Sequence, residues 1–110
     1  MKFSIISALL LAAALPAQAK VRTVVECADE YTAVRIDRSG EFGSSEYDVL
    51  LKDLRNGDKF PYRATLKDGS FISKEKGNPT INTSPTSISF VKGGWGLVVI
   101  EGENCNIDLE

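Results

Sequence analysis

Turn signals interrupt this chain at short intervals, and they leave little between them but strands. They fall at Arg38-Ser39-Gly40, Phe42-Gly43-Ser44, Asn56-Gly57, Lys67-Asp68-Gly69, Lys76-Gly77-Asn78-Pro79, Ser84-Pro85, Lys92-Gly93-Gly94 and Glu101-Gly102. The intervening segments, of about five to eight residues, are rich in Val, Ile, Thr, Phe and Tyr, the rhythm of antiparallel β-structure. Val21–Cys27 and Tyr31–Asp37 read as a first pair joined by Ala28-Asp29-Glu30. In the second of these, Ala33, Arg35 and Asp37 alternate with Val34 and Ile36, as in a half-buried strand.

Asn56-Gly57 predicts a type I′ hairpin pairing Tyr47–Leu54 with Lys59–Leu66, because both residues tolerate positive φ. Tyr47, Leu50, Leu51 and Leu54 also fit one face of a short helix, but a piece this short without a good cap favours the strand. Pro61 implies an edge or the start of a strand, since it donates no ladder hydrogen bond. Asp68-Gly69 turns the chain into Ser70–Glu75, and the polar stretch Lys76–Pro85, with two prolines, reads mostly as loop. Ser87–Val91 and Trp95–Ile100 form the last hairpin around Lys92-Gly93-Gly94, and Cys105 and Ile107 belong to a short closing strand. Leu97-Val98-Val99-Ile100 is apolar on both faces, which predicts a central strand covered on both sides or an interface. About seven or eight short strands follow, giving an all-β fold, either a small antiparallel barrel or a sandwich.

The start of the chain reads differently. Lys2, the apolar run Phe3–Leu15 and Ala17-Gln18-Ala19 make residues 1–19 a cleavable secretory leader. The expected product is a single β-domain over residues 20–110, periplasmic or secreted, with no membrane span after cleavage. Its two cysteines, Cys27 and Cys105, flank nearly all of it, and in an oxidising compartment they predict one disulfide. Such a bridge places first and last strands side by side, as closing a barrel requires.

Charge and missing residue types narrow the chemistry. Losing Lys2 with the leader leaves twelve Lys and Arg against fifteen Asp and Glu, a net charge of −3. That balance argues against a nucleic-acid partner, which calls for a concentrated basic face. The chain has no histidine, which excludes a Ser-His-Asp triad and any His-ligated zinc. Gly93-Gly94-Trp95-Gly96 lacks the spacing and following helix of a phosphate-binding loop. No cofactor is implied, and the sequence reads as a protein that is not an enzyme.

A bridge between the cysteines brings Glu26, Asp29 and Glu30 near Glu101, Glu103 and Asp108. These six acids predict a negative patch suited to a basic protein or an envelope component. Calcium is disfavoured because the regular D-x-D-x-D-G spacing is absent. Among the aromatics, Tyr62 and Trp95 are the candidates for a surface site, since each flanks a turn and can donate a hydrogen bond. The resulting expectation is an exported binding module, one form of which is an inhibitor of a basic hydrolase. Two alternatives stay open: a barrel carrying a small apolar ligand, and an envelope subunit that assembles with itself through Leu97–Ile100. The oligomeric state is not fixed by the sequence.

Overall fold

The computed structural model describes residues 22–38 and 45–109. The leader, the expected new terminus at Lys20 and the turns expected within 39–44 lie outside these residues. Nine strands run in chain order: β1 (Arg22–Ala28), β2 (Thr32–Arg38), β3 (Glu46–Asp53), β4 (Lys59–Lys67), β5 (Ser70–Ile72), β6 (Ile81–Thr83), β7 (Ser87–Lys92), β8 (Gly96–Glu101) and β9 (Cys105–Ile107). Each of β1 to β7 pairs antiparallel with its successor, and β9 returns to the free side of β1, giving the order β8-β7-β6-β5-β4-β3-β2-β1-β9. One continuous sheet of this kind, curled around a single core, is a nearly closed barrel and not a sandwich.

Alternation of the side chains builds the interior. Val34 and Ile36 of β2, Tyr47, Val49 and Leu51 of β3, and Tyr62 and Ala64 of β4 all point inward and are buried. Phe71, Ile81, Ile88, Phe90 and Ile100 complete the core from β5 to β8. In β1 the period breaks, because Thr23 faces Asp37 and Val25 faces Ile36, leaving Val24 as an extra residue. This bulge turns both Val24 and Val25 inward and bends β1 toward β9. Past it, the Asp108 N–H donates to the Val24 carbonyl at 2.7 Å. The Cys27–Cys105 disulfide then joins directly opposed residues of β1 and β9, with Cα atoms 4.1 Å apart. Cys27 is fully buried, so the bridge is part of the core as well as its closure.

Several local expectations need correction. The Tyr47–Leu54 segment is strand, as favoured, but the turn after it is not type I′. The Gly57 N–H donates to the Asp53 carbonyl at 2.7 Å across a four-residue loop, and within it only Gly57 has positive φ, at 84°. Asn56 serves instead through its side chain, whose Oδ1 accepts from the Asp58 N–H at 2.9 Å. Pro61 sits inside β4, opposite Leu50, yet its other side is bare because β5 pairs with β4 only over Thr65–Lys67. The predicted strand Ser70–Glu75 ends at Ile72, and the supposed loop Lys76–Pro85 contains β6. Ile81 drives that strand, being fully buried between Phe71 and the β7 side of the core. Finally, β8 is not a central strand. It ends the sheet, and Leu97 and Val99 are 68% and 48% exposed, beside Val91 at 66%.

Candidate partner-binding cleft

The six acids do not share one setting: Asp29 and Glu30 border a hollow with Asn104 beside the disulfide, and the others are placed differently. Cross-strand register sets Glu26 between Arg35 and Asn106, while the Arg35 guanidinium pairs with Asp37 at 3.1 Å. Asp29 builds the β1–β2 turn, its Oδ1 accepting from the N–H groups of Tyr31 and Thr32, each at 2.8 Å. Asp108 lies toward the other end of β1 and pairs with Arg22 at 2.8 Å. Glu30, Glu101 and Glu103 remain exposed. Among the described residues, no group of three acids or cysteines is placed to hold a metal ion.

Tyr62 is not a surface aromatic. Its side chain faces the core at 8% exposure, and its hydroxyl donates to the Pro79 carbonyl at 2.7 Å. Burial pushes its phenol well above the ordinary range, so the ring serves to anchor the loop before β6. Trp95 is half-buried at one mouth of the barrel. Phe60 meets it edge-on at 5.7 Å between centroids, and Phe90 lies at 6.2 Å. The Lys92 ammonium caps this cluster, 4.1 Å from the Phe60 centroid and 4.9 Å from that of Trp95.

Trp95 also borders the feature the sequence did not reveal. At the seam where the barrel fails to close, a cleft of about 250 Å³ runs along β8. Its walls are Asp29, Tyr31 and Thr32 from the β1–β2 turn and the start of β2, Arg55 from the β3–β4 turn, and Trp95 with Leu97–Val99 from the last hairpin. Three turns meet here because odd-numbered hairpins of an up-and-down barrel all point to one end. The Leu54 N–H donates to the Tyr31 carbonyl at 2.8 Å and ties the first two turns together.

Arg55 is held in place by Asp53. Its Nε reaches Oδ1 at 3.2 Å and Nη2 reaches Oδ2 at 3.3 Å, while its own N–H donates to Oδ1 at 3.0 Å. The guanidinium keeps the Asp53 carboxyl below the usual carboxylate range. So fixed, Arg55 lies with its guanidinium carbon 5.8 Å from the Tyr31 ring centroid, and Tyr31 is 56% exposed. Another hollow, between β4 and the segment after β5, is lined by Glu46, Arg63, Lys74 and Glu75. Arg63 there already pairs with Glu46 and Asp48 at 3.3 and 3.2 Å.

No protein-family model matches this chain, and neither a curated protein nor a solved structure shows significant similarity to it. The site therefore has to be read from its own geometry. Sequence reasoning placed Asp29 and Trp95 correctly beside turns. It singled out Leu97–Ile100 as a candidate interface but did not join that run to Tyr31 and Arg55, which no local signal marks as its neighbours.

Proposed function

We propose that this protein is a non-catalytic binding module of an oxidising, exported compartment, and that it recognises a protein or envelope component through the seam cleft. The observation that carries this reading is the meeting of Tyr31, Arg55 and Trp95 with the exposed apolar strand Leu97–Val99. Tyr, Trp and Arg are the residues over-represented where binding energy concentrates. The disulfide fits such a compartment. A carrier of a small apolar ligand draws less support, because Phe71, Phe90, Ile36 and Leu51 fill the interior. Inhibition of a basic hydrolase remains one form of the proposal, but it would rest on the cleft more than on the acids.

Affinity capture from envelope extract with immobilised oxidised protein tests this. A partner held by the wild type should be lost by the double variant Tyr31→Ala, Leu97→Lys. It should be retained when Glu101, Glu103 and Asp108 are changed to amides. Equal retention by the cleft variant would contradict the proposal. Loss in the amide variant alone would return recognition to the acidic residues.

A further inference from the structure

The backbone of β8 shows how the cleft could take a partner, an inference that rests on the binding-module reading above. Antiparallel ladders alternate residue pairs that exchange N–H···O bonds with pairs that do not. The Gly102 N–H donates to the Thr86 carbonyl at 2.9 Å, one step beyond the partners Ser87 and Glu101. Stepping back in twos makes Ile88–Ile100 and Phe90–Val98 the bonded pairs. Leu97 and Val99 therefore turn their N–H and C=O groups away from β7, toward the cleft. No strand receives them there, and among the described residues no other hydrogen bond reaches either one.

We propose that the cleft is a strand-addition site, filled by an extended, uncharged segment of a partner polypeptide that pairs with Leu97 and Val99. Main-chain bonds supply affinity in this mode, and side chains at alternate positions supply selectivity. The preferred side chains are apolar and β-branched or aromatic. On the outer face they meet Leu97 and Val99, with Val91 directly opposite Leu97. No charged residue lies between Lys92 and Glu101 to oppose them. Exposed edges are ordinarily blunted by lysine, proline or a bulge. The stretch Leu97–Val99 has none of these.

The geometry favours a single chain over a second copy of the protein. A second barrel would bring its own β7 and turns alongside the edge. Those would meet the Asp29–Tyr31 turn and Arg55 on the far wall, whereas one strand brings only its backbone and side chains.

The test pans a displayed heptapeptide library against immobilised oxidised protein, then maps the enriched peptides by amide NMR. Enriched peptides should alternate apolar residues and slow the exchange of the Leu97 and Val99 amides. N-methylation at their pairing positions should weaken binding roughly ten-fold, as expected for losing one or two hydrogen bonds of about 1 kcal/mol each. Leu97→Lys, at an exposed position, should abolish binding with an unchanged near-UV spectrum. Peptides that shift Tyr31 and Trp95 but ignore N-methylation would overturn strand addition and leave the binding-module reading standing. No enrichment, or binding indifferent to Leu97→Lys, would overturn both. Protection of Leu97 and Val99 that grows with protein concentration alone, with dimers in sedimentation, would assign the edge to a second copy and overturn the inference.

Discussion

Breaking the Cys27–Cys105 bridge is expected to lower the stability of the domain by about 4 to 5 kcal/mol. The bridge closes a loop of 78 residues, and in the chain-entropy picture a loop of that length constrains the unfolded chain by this amount. For a domain of fewer than about 100 residues, with total stability near the low end of the usual 5 to 15 kcal/mol, that is most of what there is. The loss has a local component too. β9 is three residues long, and β1 is the one strand it is hydrogen-bonded to among the described residues. Without the covalent link, its short ladder, the Asp108 N–H to Val24, the Arg22–Asp108 pair and the packing of Ile107 and Leu109 on the core are what hold it. Urea unfolding followed by Trp95 fluorescence, on the oxidised protein and on the Cys27→Ala, Cys105→Ala double variant, checks the figure. An unchanged midpoint would mean that the barrel holds its closure without the staple.

Phe71→Ala is expected to cost about 3 to 5 kcal/mol, the range for emptying a buried aromatic site that cannot collapse. Phe71 is completely buried, packs edge-on against Tyr47 at 5.1 Å, and is opposed by Leu66 and Ile81 on its two neighbouring strands. β5 is only three residues long, and Phe71 is its one fully buried side chain. The cavity would therefore open where the sheet is thinnest, with no longer strand able to shift in and fill it. The comparison is Val91→Ala on the outer face, which should change stability by no more than about 0.5 kcal/mol. The same urea titration reads both. Similar effects in the two variants would show that β5 does not carry the core contact assigned to it.

Much of this fold was legible because strands and turns leave local marks. The alternation of Val34 and Ile36 with charged neighbours, the glycine turns and the cysteine spacing each depend on nearby residues or on a single covalent bond. What failed to show depends on partners far away in the chain. β6 is too short to display a period of two, and Ile81 is interior only because Phe71 and β7 flank it. The Leu97–Ile100 run looks the same whether a strand lies in the middle of a sheet or at its end, and only topology decided that β8 is an end. Tyr62 flanks a turn in sequence, yet the inward phase of β4 buries it. The acidic cluster was inferred from nearness to the disulfide. Register then gave its members different neighbours, sending Asp108 to Arg22 and setting Glu26 beside Arg35. Candidate binding residues are hardest of all, since Tyr31, Arg55 and Trp95 come from three different turns and meet only when the barrel forms.

The central claim is that the barrel stays open along β8, leaving one main-chain edge free to face the cleft. Residue-resolved amide hydrogen exchange on the free, oxidised protein tests it most directly. The ladder phase predicts that Val98 and Ile100 are protected through their bonds to β7, while Leu97 and Val99 exchange at rates close to those of exposed loop amides. Equal, strong protection of all four amides would show that the seam is already hydrogen-bonded within the molecule, and would contradict the account of the cleft.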